Sequence, residues 1–435
     1  MQPSTGYSAE KPFTPKESNR MDFEHIQTVY NYIQTHWENT VREQPEDTGT
    51  LLGLPFRYTV PCQKDSMQNN FYWDTYFTNV GLLKQGFFEL AKSNTDNLLY
   101  EVNRHGFVPN GNRTFFLNRS QPPVLALMVR DIFDITDDLG WLESAYSALK
   151  KEYAFWMGKR MTPVGLNRYF HHANETEQLA FFNDVVRRRL DFAPAGSRKQ
   201  LEIGAHYLAE AESGWDFTPR FEQRCSEFIP VDLNSLLYLH ELSMIRFCEE
   251  LENDEKKLWE EHAERRKQLF NTLCWDNHKE LYSDYDFAKD RHSAIASLAT
   301  YAALWAELAT KKQARAISRN LKRFEHGFGI SACEESNQKI SYQWDYPNGW
   351  PPLFYMTIAG LLKYGYAEHA RRIAEKYVRV VVDNFRKTGD LWEKYNIVDG
   401  STNVQNEYEM PAMLGWTAGV FVYCVDFLRS ENELK

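Results

Sequence analysis

Hydrophobic positions in the second half of the chain recur with helical spacing, and apolar helices alternate with charged ones. The segment Val231–Cys248 is apolar nearly all round, which predicts a helix that is buried on most sides. The next segment, Asp254–Phe270, is rich in Glu, Lys and Arg and has a narrow apolar face. That pattern predicts a helix at the surface of the molecule.

The same alternation continues to the end of the chain. Apolar helices are predicted at Ala294–Leu308, Pro352–Leu362 and Met410–Leu428, with charged helices at Gln313–Phe324 and Glu368–Arg386 between them. A helical solenoid would repeat every ~34–47 residues, whereas helix pairs here are spaced by about 60 residues without a repeated motif. Inner and outer helices in turn predict an all-α, double-layered barrel, and roughly a dozen helices would make six hairpins.

The chain is predicted to form one domain preceded by an arm. Residues 1–20 are polar and carry three prolines, which predicts a flexible N-terminal arm. No linker rich in Gly, Ser or Pro divides residues 21–435, so we expect a single catalytic barrel there. No apolar stretch approaches the ~20 residues of a membrane span, and no hydrophobic signal core is present. We therefore expect a cytoplasmic protein without a membrane partner.

Charge and motif content exclude several function classes. The formal net charge is −10, which argues against nucleic-acid binding, and the basic run Arg187–Arg189 is interpreted as a solvated helix face. Six scattered cysteines without a CxxC pair indicate neither a disulfide framework nor a zinc site. The Asp284-x-Asp286 pair is interpreted as a polar turn rather than a calcium loop. Neither a metal nor an organic cofactor is predicted.

Five segments dense in Trp, Asp, Asn, Gly and Pro interrupt the helical pattern, at residues 69–76, 106–123, 212–220, 343–352 and 392–416. Three of them place an aspartate directly after a tryptophan: Asp74, Asp216 and Asp345. An indole partly desolvates a neighbouring carboxyl group, which favours its protonated form. Any one of these residues could be a turn or cap aspartate. Together with Glu393 and Glu407 they favour glycoside hydrolysis, which needs a carboxylic acid and a carboxylate.

These segments also carry a family resemblance. The complete motif QWDYPNGWPP is present at residues 343–352, and it is accompanied by PNGNR at 109–113, RSQPP at 119–123, ESGWDF at 212–217, PVDLN at 230–234, EKY at 393–395 and EY followed by GWTAG at 407–419. In these motifs and their order the chain resembles the α,α-trehalases of glycoside hydrolase family 37, from about Leu54 to the end. The resemblance implies an (α/α)6 barrel and catalysis with inversion.

The resemblance also implies roles for individual residues. Asp216 in ESGWD would be the general acid and Glu393 in EKY the general base. Glu407 in EY would bind substrate, although the sequence leaves open which of the two glutamates activates water. The positions that match those holding the first glucose are Trp73, Asp74, Asn110, Arg119, Gln121 and Gly214. The positions expected to wall the same pocket are Trp344, Asp345 and Trp350.

The chain departs from the family pattern at three places. The first family signature survives only at its end, and Lys64 lies near but not at the position of its substrate-binding arginine. The arginine-containing RPRPES segment is replaced by Phe170–Glu177, and the glycine-rich lid is replaced by Ser401–Asn406. Each missing arginine would remove a charge-assisted hydrogen bond worth ~1.5–3 kcal/mol. These losses affect the second sugar and the lid more than the acid and base.

Three functional hypotheses follow. The first is hydrolysis of the disaccharide α,α-trehalose to two glucose molecules. The second, motivated by the missing arginines, is hydrolysis of another α-glucoside or α-mannoside, such as a glycerate glycoside or a different disaccharide. The third is a non-catalytic sugar-binding homologue, against which the intact Asp216, Glu393 and Glu407 argue. The sequence leaves the oligomeric state open.

Overall fold

The structure, a computed structural model, describes residues 23–64, 66–191, 196–337, 340–404 and 409–433. The predicted arm at residues 1–20 and the predicted site residue Glu407 lie outside these ranges. The helices are α1 Phe23–His36, α2 Tyr72–Lys84, α3 Phe88–His105, α4 Leu125–Thr136, α5 Leu139–Lys159, α6 Glu175–Phe181, α7 Arg187–Leu190, α8 Ser197–Glu212, α9 Val231–Glu250, α10 Lys256–Leu273, α11 Ala299–Trp305, α12 Lys311–Asn320, α13 Pro351–Lys363, α14 Ala367–Thr388 and α15 Gly415–Glu433.

Twelve helices of the described chain form two concentric layers. The inner helices contact one another in the closed order α2, α4, α9, α11, α13 and α15, and α15 returns to α2. The outer layer consists of α1, α3, α5, α10, α12 and α14, each packed on one or two inner helices. This arrangement confirms the predicted all-α (α/α)6 barrel. The remaining helices, α6 to α8, form an insert between α5 and α9.

The predicted alternation of apolar and charged helices corresponds to the two layers. Helix α9 buries most of its residues, as its nearly uniform apolar surface predicts, whereas the charged α10 buries only a narrow face. Two inner helices begin later than predicted because the chain before them makes other hydrogen bonds. The backbone N–H of Leu298 donates to Ala332 O (2.9 Å), and that of Met413 donates to Leu391 O (2.8 Å).

Paired glycines allow the ring to close between α2 and α15. A Cβ atom on Gly419 would lie 1.9 Å from the carbonyl oxygen of Phe77, and one on Gly81 would lie 2.6 Å from the Cα of Gly419. These distances are far below van der Waals contact, so the two helices can approach this closely only because neither position carries a side chain.

In the part of the chain that the structure describes, every strand has two residues, and the strand pairs connect loops. They are β1 Val41–Arg42, β2 Tyr58–Thr59, β3 Phe228–Ile229, β4 Trp275–Asp276, β5 Leu281–Tyr282, β6 Tyr285–Asp286, β7 Arg291–His292, β8 Glu325–His326, β9 Gly329–Ile330, β10 Asn348–Gly349 and β11 Tyr395–Asn396. The antiparallel pairs are β1–β2, β4–β5, β8–β9 and β10–β11, and β6 pairs with both β3 and β7. Among the described helices, none is both long and apolar enough to cross a membrane.

The five polar-aromatic segments converge at one end of the barrel. Four of them run directly into the N-termini of the inner helices α2, α4, α13 and α15, and the fifth follows α8 shortly before α9. The β10–β11 pair joins two of these segments, with Gly349 opposite Tyr395. Segments that are far apart in sequence therefore meet above the mouth of the inner ring.

Candidate active site

A cavity of about 610 Å³ opens at this end of the barrel. Ten of the twelve predicted site residues line it: Trp73, Asp74, Asn110, Arg119, Gln121, Gly214, Asp216, Trp344, Trp350 and Glu393. They come from all five polar-aromatic segments, so the structure brings the separate motifs together in one place.

Asp216 lies on a loop that is anchored just after α8. The buried Glu212 at the end of α8 accepts hydrogen bonds from the Arg160 guanidinium (2.7 and 2.8 Å) and from the backbone N–H of Ser120 (2.8 Å). The Asp216 side chain keeps 33% of its surface open, and its Oδ2 lies 3.1 Å from Nη1 of Arg189. Burial raises the pKa of Asp216, and the charges of Arg189 and Arg119 partly oppose that rise.

Glu393 is buried and paired. Its Oε2 lies 2.6 Å from Nζ of Lys394, and both side chains are almost completely buried. The indole N–H of Trp416 donates to the backbone oxygen of Glu393 (3.1 Å). The ammonium group offsets the cost of burying a carboxylate, and Glu393 lines the cavity.

Gln343, the first residue of the QWD motif, connects the two carboxyl-bearing loops. Its side-chain amide donates to the backbone oxygen of Asp216, and its Oε1 accepts a hydrogen bond from Nζ of Lys394 at 3.3 Å. Because Lys394 also holds Glu393, a continuous set of buried polar contacts runs from the Asp216 backbone to the Glu393 carboxylate. The Asp216 loop and the Glu393 carboxylate are therefore linked through the protein without a ligand.

Asp74 lies in the first turn of α2, on the floor of the cavity. Burial raises its pKa to about 8, and the negative charges of Glu393 and Asp216 add to the rise. Asp74 is thus close enough to Glu393 and Asp216 for their charges to affect its pKa. At neutral pH its carboxyl group is mainly protonated, so it can donate a hydrogen bond to a ligand.

Stacked indoles form one wall of the cavity. The rings of Trp344 and Trp350 stack with centroids 3.8 Å apart, and Trp215 stacks on Trp344 at 5.4 Å. Cations cover both ends of this stack, with Nζ of Lys394 4.5 Å from the ring of Trp350 and the Arg220 guanidinium 4.2 Å from that of Trp215. Because the ring faces are covered in this way, the indoles are held rigidly and only their edges are left to line the cavity.

Gly214 is required by the packing of Trp73. Its φ is +73°, and a Cβ atom there would lie 2.6 Å from the Trp73 indole. The glycine of ESGWD therefore allows the loop to cross the face of an indole that itself lines the cavity.

Polar side chains from the loop before α4 complete the floor. Asn110 donates from Nδ2 to the backbone oxygens of Ser120 (3.1 Å) and Ala211 (3.2 Å), and Gln121 accepts from the backbone N–H of Trp73 (3.1 Å). Arg119 lies over the rings of Phe116 and Phe181, and burial lowers its pKa to about 10. Its Nε is buried and has no hydrogen-bond partner among the described residues, and the residue lines the cavity.

Asp345 is placed differently from its neighbours. It is buried but does not line the cavity, and its Oδ1 accepts a hydrogen bond from the backbone N–H of Tyr346 at 2.8 Å. Burial raises its pKa to about 6. Of the three aspartates that follow a tryptophan, Asp345 therefore supports its own turn, while Asp74 and Asp216 face the cavity.

Several cavity residues were not predicted from the sequence. Trp416 follows α15's first residue, and Phe181, Asp184, Val185 and Arg189 come from the insert. The interpretation of Arg187–Arg189 as a solvated face is wrong for the third arginine. Arg187 and Arg188 are exposed, whereas Arg189 turns inward to Asp216, because one helical turn presents consecutive residues in different directions.

Two other predictions concern metal sites. Asp284 of the predicted polar turn is buried, and it shares Arg220 with Asp232 at 2.8 and 2.7 Å. This arrangement explains the PVDLN motif, because Asp232 helps to hold the arginine that stacks on Trp215. Within the described ranges, no group of three or more His, Cys, Asp or Glu side chains is arranged to hold a metal ion.

Comparisons with known proteins agree with the geometry. The family model described as Trehalase matches residues 4–429. The fold is similar to that of neutral trehalase Nth1 from Saccharomyces cerevisiae, with a TM-score of 0.75 and 25% identity over 93% of this chain and 80% of that one. It is also similar to the GH63 mannosylglycerate hydrolase from Thermus thermophilus solved with Tris and D-glycerate, with a TM-score of 0.63 and 15% identity over 92% of this chain and 100% of that one. At 15% identity the likeness to the second enzyme shows the fold alone.

The family match covers nearly the whole chain and includes every segment that lines the cavity. The family expected from the sequence motifs is confirmed: the chain belongs to the trehalase family of glycoside hydrolases.

Proposed function

We propose that the protein hydrolyses α,α-trehalose to two glucose molecules with inversion, with Asp216 as general acid and Glu393 as general base. The observation that carries the proposal is that these two carboxyl groups line one cavity in different environments. Asp216 is partly open and its pKa is raised by burial, as suits a proton donor. Glu393 is a buried carboxylate beside an ammonium group, as suits a group that accepts a proton from water.

The proposed reaction is a single displacement. Asp216 transfers its proton to the bridging oxygen as the bond between that oxygen and the anomeric carbon breaks. A water molecule attacks the anomeric carbon from the opposite face, and Glu393 accepts the proton that this water loses. The attacked sugar leaves as β-glucose and the other as α-glucose. Inversion requires the two carboxyl groups to be ~6.5–9.5 Å apart so that the water fits between the base and the sugar.

The other cavity residues would bind the first glucose. The protonated Asp74 can donate to a hydroxyl group, and the guanidinium group of Arg119, which lines the cavity, can donate to another. Asn110 and Gln121 hold the surrounding backbone while they line the cavity. The edges of the stacked Trp344 and Trp350 would border the bound sugar and limit the shape of the pocket. For Glu407 we keep the prediction of a substrate-binding carboxylate.

Replacement of the general acid tests the assignment. We expect Asp216→Asn to lower kcat on trehalose by roughly 10³-fold or more, because the leaving glucose would depart without a proton. The substitution is nearly isosteric, so the melting temperature should stay close to that of the wild type. NMR of the first-formed sugars should show equal amounts of β- and α-glucose from the wild-type enzyme. Full activity in Asp216→Asn, or two α-glucose products, would contradict the assignment.

A second candidate substrate is an α-glycoside whose leaving group carries a carboxylate, such as a glycerate glycoside. Two guanidinium groups, those of Arg189 and Arg119, lie close enough to Asp216 to influence its pKa, and guanidinium groups bind carboxylates well. Turnover of trehalose, glucosylglycerate and mannosylglycerate by the same preparation separates the candidates. A higher kcat/KM for a glycerate glycoside than for trehalose would favour the second.

A further inference from the structure

Helix α4 begins with an apolar N-cap residue and is capped instead by a residue of α2. The side chain of the N-cap residue, Val124, cannot accept a hydrogen bond from the first turn. The hydroxyl group of Tyr72, the first residue of α2, takes this role. Its oxygen accepts hydrogen bonds from the backbone N–H groups of Val124 (3.1 Å) and Leu125 (2.9 Å). One tyrosine oxygen therefore joins the beginnings of two inner helices.

Glu152 on the outer helix α5 also contacts this hydroxyl group. The Tyr72 hydroxyl donates to Oε1 of Glu152, with the two oxygens 2.5 Å apart, and both side chains are fully buried. A tyrosine hydroxyl can donate one hydrogen bond and accept two. All three are formed here, so the position of the Tyr72 oxygen is fixed by α4 and α5 together.

The burial of Glu152 carries a cost in free energy. Burial raises the pKa of its carboxyl group to about 7, and the hydrogen bond from Tyr72 opposes that rise. Its Oε2 has no hydrogen-bond partner among the described residues. An apolar side chain would avoid this cost, but it would leave the Tyr72 hydroxyl without an acceptor. A carboxyl oxygen accepts that proton in either protonation state, so the contact is kept whether or not Glu152 is charged.

The first turn of α2 carries two residues of the cavity directly after Tyr72. These are Trp73 and Asp74. The backbone N–H of Trp73 donates to Oε1 of Gln121 (3.1 Å), which lines the cavity from the loop before α4. The starts of α2 and α4 are therefore joined twice, by this contact and by the Tyr72 hydroxyl. Within the described chain, neither Tyr72 nor Glu152 lines the cavity, so the pair can act on a substrate only through its neighbours.

We propose that Tyr72 and Glu152 are positioning residues of the active site, which hold Trp73 and Asp74 at fixed places beside the first sugar. The inference rests on the proposed function, in which Asp74 donates a hydrogen bond to that sugar. Three hydrogen bonds fix the Tyr72 hydroxyl, so the turn that follows it cannot move away from α4 without breaking buried hydrogen bonds. Because small displacements of substrate-binding groups lower the rate strongly, this contact contributes to catalysis without touching the substrate.

Three substitutions test the contact from both ends. Tyr72→Phe removes the hydroxyl group and keeps the ring. Glu152→Met removes the acceptor and keeps Tyr72, so it tests the same contact if Tyr72→Phe does not fold. Glu152→Gln keeps an acceptor oxygen and removes only the ability to carry a charge.

Tyr153 provides a matched control from the same outer helix. Its hydroxyl donates to Oε1 of the buried Glu241 (2.7 Å), and its ring packs on Trp259 and His262 of α10. Tyr153→Phe thus removes a buried hydrogen bond between a tyrosine and a glutamate that does not involve α2 or α4. It should lower the melting temperature, as Tyr72→Phe does, but leave kcat/KM on trehalose within about twofold of the wild type.

The readouts are kcat/KM on trehalose and the calorimetric affinity for deoxynojirimycin, a cationic imino sugar with the shape of the attacked glucose. Both are measured at a temperature where every variant is folded. We expect Tyr72→Phe and Glu152→Met to lose roughly 10- to 100-fold in both, because a transition-state mimic depends on the same positioned groups. Glu152→Gln should stay within about threefold of the wild type. A purely structural role would lower the melting temperature and leave both readouts unchanged.

Three results would overturn the inference: unchanged readouts in Tyr72→Phe, an equal loss in Tyr153→Phe, or a loss in Glu152→Gln as large as that in Glu152→Met. A wild type that binds the imino sugar but does not hydrolyse trehalose would contradict the proposed substrate, and the affinities would then decide this inference alone. A wild type that does neither would overturn both.

Discussion

At the scale of single residues, buried hydrogen bonds determine how the two candidate catalytic carboxyl groups face each other. Gln343 is 1% exposed and contacts both the Asp216 backbone and Nζ of Lys394. Lys394 in turn holds Glu393 at 2.6 Å. None of these contacts requires a ligand, so they would hold the proposed acid and base in place before the substrate arrives, which lowers the cost of reaching the transition state.

Removal of the Gln343 amide should therefore affect chemistry more than binding. We expect Gln343→Met to lower kcat on trehalose by roughly 10- to 100-fold, with KM changed by less than about threefold, because the Asp216 backbone and Lys394, which holds Glu393, both lose a contact. Steady-state kinetics measures the two constants, with the surface variant Gln268→Met as a control for the loss of an amide. A kcat equal to that of the wild type would show that Gln343 does not position the pair.

At the scale of elements, the contact between α2 and α15 supports both the barrel and the site. Helix α2 carries Trp73 and Asp74 in its first turn, and α15 carries Trp416. The two helices approach through Gly81 and Gly419, where a side chain would overlap the opposite backbone. Since the helices cannot separate without moving these residues, the glycine contact also fixes one side of the cavity.

An added methyl group at this contact should destabilise the protein. Gly→Ala within a helix ordinarily gains up to ~1 kcal/mol of stability, because alanine restricts the unfolded chain. Gly158 lies exposed near the end of α5, and a Cβ atom there would meet nothing within 4 Å. As the control, Gly158→Ala should therefore show only this gain in stability. We expect Gly419→Ala to lose roughly 2–4 kcal/mol in denaturant unfolding, because the Cβ would meet the carbonyl oxygen of Phe77. Similar free energies of unfolding for the two variants would show that α2 and α15 can move apart without loss of stability.

At the scale of the whole molecule, the packing of the barrel buries carboxyl groups as well as apolar side chains. Glu101 on α3 is 1% exposed, and neither of its carboxyl oxygens has a hydrogen-bond partner among the described residues. Burial raises its pKa to about 8, far above its ordinary value of 4.5. The folded state thus binds this proton more tightly than the unfolded state does. The contribution of Glu101 to stability is intact below about pH 4.5 and is lost progressively as the pH rises toward 8.

Replacement by the neutral amide should remove this pH dependence. We expect Glu101→Gln to be more stable than the wild type at pH 8 by on the order of 2–4 kcal/mol, and to differ little from it near pH 4.5. Urea unfolding at a series of pH values measures the difference. Glu89→Gln, an exposed change on the same helix, is the control. A stability difference that stays constant between pH 5 and pH 8 would contradict the buried-proton explanation.

Much of the fold and of the site was predictable from local patterns. The apolar helices form the inner layer and the charged helices form the outer layer, because the inner helices are covered on most sides and the outer helices face solvent. The tryptophan-aspartate motifs located Asp74 and Asp216 correctly, since both face the cavity. Asp345 has the same local motif but supports its own turn, and no local pattern distinguishes it from the other two.

The sequence by itself determined the helical architecture, the family and the loops that carry the candidate catalytic groups, because hydrophobic periodicity and short motifs are properties of neighbouring residues. Only the tertiary structure decided which side chains share the cavity. Arg189 and Asp216 meet across 27 positions of sequence, and Gln343 and Asp216 meet across 127. Contacts at such separations depend on how the insert and the loops pack on the barrel, so a run of three arginines could not reveal that its third member faces the active site.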